Sequence, residues 1–262
     1  LGIDYKSNIG KLNYHLGGMF TYGTSEIIDM VETPQAYNYL SRIGSKPGAA
    51  YGLEVIGIYK TQAQIDDHRQ EFDRVQLGDV MYKDQNKDQV VNENDRVELK
   101  YSNGIPEINY AFNLGFEYQG FGVNATFQGV GNFYRPLDMA GVFKPISGNT
   151  NVSKYYLDNC WRPEQDNKQA RLPRLSSQGS VNNNQNSDLW YANGSFFKLR
   201  NCEVYYNFPN KWLKNTFVSG TKLFVKGENL FSIDNFPEID SEVYWAAYPT
   251  LRSVSAGFSV SF

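Results

Sequence analysis

The sequence predicts an all-β chain, about seven antiparallel transmembrane strands from a larger barrel, joined in part by long outer loops. Three observations point there. Apolar and polar residues alternate with period two over spans of about ten residues, the length a membrane strand needs. Connections alternate short and long, as in barrels with short inner turns and long outer loops. The last span sets Val254, Ala256, Phe258, Val260 and Phe262 against Ser253, Ser255, Gly257, Ser259 and Ser261, ending on an aromatic residue.

Taken in order, Leu1, Ile3 and Tyr5 alternate with Gly2 and Asp4, so a strand near 1–6 is expected to be truncated. A short connection is expected at Ser7–Gly10. The second strand, near 11–23, sets Leu12, Tyr14, Leu16, Phe20 and Tyr22 opposite Asn13, His15 and Thr21. The third and fourth, near 107–118 and 121–131, flank Gln119-Gly120, a two-residue hairpin signal. Tyr110, Phe112, Leu114, Phe116 and Tyr118 share one face with Phe121, Val123, Ala125 and Phe127. The fifth, near 195–208, carries Cys202, Val204 and Tyr206; the sixth, near 219–231, carries Leu223 and Val225; the seventh is 250–262. Leu12, Leu16, Phe112, Phe116, Val123, Val204, Val225 and Phe258 are expected to face lipid.

The long outer loops fall near 24–106, 132–194 and 232–249. Tyr51–Lys60 also reads as a strand, but a crossing there would invert every later strand and place the short turns outside. It is therefore expected to be local structure within the first loop. Gln62–Phe72 reads as a short helix, and Asn182–Asn186 as a polar loop tip. Seven is odd, and bacterial single-chain barrels have even strand numbers from eight upward. The chain is accordingly expected to be the carboxyl-terminal part of a larger barrel.

Composition narrows the classes further. The 262 residues hold 25 Lys and Arg against 28 Asp and Glu, which argues against a nucleic-acid partner. No run approaches the roughly 18 apolar residues of a membrane helix. Two cysteines cannot make a disulfide framework. Aromatic residues reach 15%, and several sit near strand ends, as in interfacial girdles.

One loop has the spacing of a calcium loop. From Asp84 to Asp95, oxygen-bearing side chains fall at positions 1, 3, 5, 9 and 12 (Asp84, Asn86, Asp88, Asn92 and Asp95), with the Val90 carbonyl at position 7. Gln89 stands where the turn glycine belongs, and Asp95 where the bidentate Glu belongs. A structural Ca²⁺ and an ordinary Asx-rich turn are the two readings. No cofactor is required. In the second long loop, Tyr155, Tyr156, Trp161, Trp190 and Tyr191 are candidates for substrate or lipoprotein contact, by stacking on sugar faces or packing on apolar side chains. His15 falls on the polar side of its strand. Carboxylate pairs such as Asp66/Asp67 and Glu238/Asp240 have nothing around them that would make a general acid or base, and no enzyme activity is expected.

Several stretches, in order along the chain, resemble the SusC/RagA-type TonB-dependent outer-membrane transporters. They are Gly78-Asp79-Val80-Met81-Tyr82-Lys83-Asp84-Gln85-Asn86-Lys87-Asp88, Pro106–Leu114 with Phe127–Val130, Trp161-Arg162-Pro163-Glu164, Ala170-Arg171-Leu172-Pro173-Arg174, Gly194–Asn201, Gly227–Phe231 and Tyr248–Phe262. The resemblance implies a 22-stranded barrel in the bacterial outer membrane, embedded in the lipid bilayer and holding an amino-terminal plug. It also implies a SusD-like surface lipoprotein partner, coupling to the TonB complex through the plug, and oligosaccharide or oligopeptide cargo. A soluble carbohydrate-binding β-sandwich is the alternative, because its strands alternate for the same geometric reason.

Overall fold

The computed structural model describes residues 1–99, 104–146, 150–163, 170–214, 217–243 and 248–262. Glu164 of the Trp161 motif and parts of all three long loops lie outside the described residues. The chain divides into two compact units. One comprises Leu1–Gly23, Pro106–Phe133 and Gly194–Phe262; the other comprises Thr24–Ile105 and Tyr134–Asn193.

The first unit is built on one seven-stranded antiparallel sheet, its strands lying side by side in chain order. They are Gly2–Ile9, Leu12–Tyr22, Ile108–Tyr118, Phe121–Gly131, Phe196–Asn207, Gly220–Asp234 and Ser253–Ser261. The first short connection differs from expectation. Ser7, Asn8 and Ile9 pair opposite Tyr14, Asn13 and Leu12, so the turn shrinks to Gly10-Lys11. Gly10 makes this tight hairpin accessible with a φ of +61°. At the next hairpin Gln119 and Gly120 both have positive φ, 51° and 90°, as a type I′ turn demands.

The register puts all eight expected lipid-facing residues on one side of this sheet. Leu12 stands opposite Tyr118, Leu16 opposite Leu114, Phe112 opposite Phe127 and Phe116 opposite Val123. Val123 pairs with Val204, Val204 with Val225, and Leu223 with Phe258. None of the eight is buried: Val225 is 48% exposed and Phe258 74%. No second sheet covers them among the described residues of this unit, which removes the β-sandwich alternative. The rings hold one another instead, Phe112 stacking on Phe127 at 4.6 Å and Phe127 on Phe197 at 5.6 Å.

The second unit is packed structure built from the first two long loops. Residues from both loops share a core of Leu53, Val80, Tyr82 and Val91, against which Val55, Phe72 and Leu189 pack. Tyr51–Gly52 pairs with Val97–Glu98 and Val55–Ile58 with Val80–Tyr82, so the 51–60 segment is local structure and joins no barrel strand. The expected helix is confined to Gln62–Asp67, where Thr61 and Gln64 form a capping box. Arg69–Gln70 turns into a strand parallel to Val90–Val91.

The Asn-rich tract is not a loop tip. Asn182 and Asn183 are buried, at 0% and 5% exposure. Asn182 donates to the Val80 carbonyl at 2.9 Å and accepts from Gln70 at 2.8 Å. Asn183 accepts from the Val80 amide at 2.8 Å, and Tyr82 donates its hydroxyl to the Asn182 carbonyl at 2.7 Å. Replacing Asn182 with alanine removes one of two donors to the Val80 carbonyl, which keeps Gln70 at 3.0 Å, and takes the Asn182 acceptor from the buried Gln70 amide. A loss of about 1–3 kcal/mol in this unit is expected, read as faster protease cleavage within 24–105 in the full-length protein.

Candidate functional site

The polar side of the seven-stranded sheet is as continuous as the apolar one. One cross-strand row runs Lys6, His15, Gly115, Asn124, Glu203, Lys226 and Ser255. Its neighbour runs Asp4, Gly17, Asn113, Thr126, Asn201, Glu228 and Ser253. Gly115 has a packing reason: a Cβ there would collide with the His15 ring and with Asn124. Tyr205 donates its hydroxyl to Glu117 at 2.8 Å, and the Lys222 ammonium, paired with Glu203, sits 4.4 Å above the Tyr205 ring. Such a face suits contact with water or polar protein, while the opposite face suits hydrocarbon.

At one end of the fifth strand a charged clasp holds the third long loop. Lys198 is buried, and its ammonium lies 2.5 Å from Asp240 and 2.8 Å from Glu242. A register shift between Leu199 and Asn201 leaves Arg200 out of the ladder. Its guanidinium reaches both oxygens of Glu242, together with Gln128 and Asn229. Burial raises the Asp240 carboxyl, but hydrogen bonds from Lys198, the Glu242 amide and Thr250 outweigh it and bring the pKa down to about 2. Glu242 is lowered too, its desolvation outweighed by Arg200 and Lys198. A depressed carboxylate pKa stabilises the fold above the unfolded value of roughly 4, and that contribution is lost as pH falls through the folded value. Pepsin cleavage within 235–252 is therefore expected to stay constant down to about pH 4 and to rise as pH falls toward 2.

In the second unit, stretches that carry the family resemblance meet one another. Asp79, fully buried, pairs with Arg174 at 2.8 Å and accepts from Asn183 at 2.8 Å. The Arg174 amide donates to the Gly78 carbonyl at 2.8 Å. Gly78, at φ +88°, lies against the Trp161 ring, where a Cβ would collide. The five aromatic candidates therefore separate. Tyr156 and Trp190 are buried, Tyr156 donating to the Pro173 carbonyl at 3.1 Å and Trp190 to the Asn183 carbonyl at 2.9 Å. Burial pushes the Tyr156 phenol well above its usual range. These two serve loop packing. Tyr155 meets Phe143 edge-on at 5.6 Å, and Tyr191 lies in the short ladder with Tyr134–Pro136. Trp161, half-buried, lines two clefts.

The 84–95 loop is closed by its own backbone. Asp84 accepts from the amides of Lys87 at 2.6 Å and Gln89 at 2.8 Å, Asp88 from Val90 at 2.9 Å, and Asn92 from Asn94 at 2.8 Å. The side-chain Nδ2 of Asn86 donates to Asp88 at 2.8 Å. Asp95, 1% exposed, accepts from Gln85 and Asn92, each at 2.7 Å. Gln89 takes the positive φ, 72°, that a glycine would accept without strain. Among the described residues, no group of three or more His, Cys, Asp or Glu side chains is placed to hold a metal ion.

Sequence reasoning missed the clasp, Asp79–Arg174 and the Asn182–Asn183 network. The carboxylate pairs of Lys198, Arg200 and Arg174 and the bonds from Asn182 and Asn183 to Val80 join residues 42 or more apart. Asp66 and Asp240, weighed as members of acidic pairs, are instead bonded to Gln62 and Lys198.

No family model matches the chain. TonB-dependent receptor P3 of Formosa agariphila is 23% identical over 248 residues, covering 87% of this chain and 23% of that protein. TonB-dependent receptor P26 of the same organism is 24% identical over 277 residues, covering 99% of this chain and 27% of that protein. The chain thus spans about a quarter of the length of these curated relatives. Among solved structures, the RagAB peptide transporter superposes on the whole chain with a TM-score of 0.73, 19% identity and 28% of its own chain covered. The RagAB peptide importer in its open-open state gives 0.69 at the same identity and coverage. RagA is a SusC-like transporter, and the sheet described above has the fold of part of such a barrel. In sequence the chain is similar to TonB-dependent receptors, and in fold to part of the barrel of the SusC-like transporter RagA.

Proposed function

We propose that the chain forms the carboxyl-terminal part of the barrel wall of an active outer-membrane importer. It works with a plug, a SusD-like surface lipoprotein and the TonB complex to take up oligosaccharides or oligopeptides. The observation that carries this reading is the seven-stranded sheet with one apolar face, left uncovered by the described residues of its unit, and one polar face, held at one end by the third long loop. A wall between lipid and a polar lumen requires both faces, and a packed soluble domain would bury the apolar one. The long connections are read as outer loops, because they leave the strand ends opposite the short turns Gly10-Lys11 and Gln119-Gly120. The chain's part in import is to enclose and contact cargo rather than to transform it.

Deleting the full-length gene and restoring it under control tests the reading. Uptake of the cargo should depend both on this protein and on an intact TonB system. Uptake that persists when TonB is disabled would contradict active import.

A further inference from the structure

We propose that Trp161 and the 60–77 segment form a subsite for an anionic saccharide, a sugar carrying carboxylate or sulfate groups. This deepens the importer reading and rests on it for the origin of the ligand. Trp161 lines two clefts of about 480 Å³ and 930 Å³, and the helix Gln62–Asp67 contributes residues to both. Its ring lies against Gly78, which has no Cβ to collide with it. Among the described residues its indole N–H has no hydrogen-bond partner, whereas that of Trp190 is taken up by Asn183. A flat apolar ring with a free donor at its edge is suited to the C–H face and hydroxyls of a pyranose.

The charge around the ring selects among sugars. Lys60 and Arg171 line the smaller cleft, Arg69 and Arg74 the larger. Lys60, Arg74 and Arg171 are exposed, and no described carboxylate lies within ion-pair distance of them; Arg69 shares Glu71 at 3.2 Å. The two carboxylates of the larger cleft are engaged. Asp66 accepts from Gln62 at 2.9 Å, and Asp73 from the amides of Arg74 and Val181 at 2.7 and 3.2 Å. Among the described residues, the clefts thus offer cationic donors in excess and few open carboxylate acceptors. Guanidinium groups match carboxylate and sulfate oxygens in pairs. A peptide would ask instead for acceptors to take its amino group.

The experiment uses the full-length transporter in detergent, titrated calorimetrically with a galacturonate oligosaccharide, the neutral galactose oligosaccharide of equal length, and an oligopeptide of mixed sequence. The galacturonate should bind most tightly, and its affinity should fall as salt rises. Arg74→Gln combined with Arg171→Gln should weaken it by roughly tenfold or more without changing the weak neutral binding. Both arginines are exposed, so folding is expected to survive; Trp161→Phe, which keeps the packing on Gly78, should weaken both sugars. Equal affinity for the neutral sugar, preference for the peptide, or an unchanged double variant would each overturn the proposal. Solvent-accessibility labels on the sheet of the same protein report independently on the barrel wall. An intact wall without galacturonate binding sinks the subsite alone, and a failed wall pattern sinks the importer reading.

Discussion

Replacing Lys198 with methionine should detach the third long loop and cost about 3 kcal/mol. The ammonium is buried and stands between Asp240 and Glu242 at 2.5 and 2.8 Å. Methionine keeps the volume but leaves two carboxylates facing each other with Arg200 as the one cation paired with them among the described residues, and it pairs with Glu242. Breaking a buried pair from one side costs roughly 3–5 kcal/mol because a charge remains without its partner. The lower end applies here, since Asp240 and Glu242 keep side-chain exposures of 15% and 25%. The expected result is rapid protease nicking within 235–252 at neutral pH, with the barrel's resistance to unfolding in detergent lowered. A second change, Asp240→Asn with Glu242→Gln, should restore much of what Lys198→Met lost, because the repulsion is then gone. Unaltered protease resistance in Lys198→Met would mean that other contacts hold the loop.

The second large effect lies in the sheet. Leu16→Arg should destabilise the full-length protein in a bilayer by about 2–4 kcal/mol if it sits near the membrane midplane. Leu16 pairs with Tyr5 on one side and Leu114 on the other, near the middle of its strand and on the face of Phe112 and Phe116. Asn124→Arg, on the opposite face beside Glu203 and Gly115, should be tolerated. Outer-membrane levels and urea midpoints of refolded protein read both. Two equally destabilised variants would mean that neither face meets hydrocarbon.

The strands were legible because their signal is local. Side chains alternate at every residue, so Tyr110 to Tyr118 declare one face without any knowledge of the partner strand. Their ends were less sharp. Ser7 looked like a turn because small polar residues favour turns, yet Gly10 alone supplies the needed φ and the ladder runs on to Ile9. The loop unit was largely illegible. Asn182 reads as polar and solvated, and only the arrival of Val80 and Gln70, over a hundred residues away, turns it into core. Local pattern registers burial through hydrophobicity, and this core is made in part by amides whose hydrogen bonds are satisfied internally. Among the candidate contacts, Tyr156 and Trp190 looked like Trp161 in sequence. Their exposures separate them, and exposure follows from tertiary packing.

The central claim is that one sheet face meets lipid and the other meets water. Single cysteines at Leu16, Phe116, Val204 and Val225, and at Asn124, Glu203, Lys222 and Asn113, can carry nitroxide labels in the full-length protein reconstituted into vesicles. Collision with dissolved oxygen, which concentrates in hydrocarbon, and with a water-soluble nickel complex would then be measured at each. High oxygen and low nickel accessibility are expected at the first four and the reverse balance at the second four, alternating residue by residue along each strand. Nickel accessibility as high at Leu16 and Val225 as at Asn124 would contradict it.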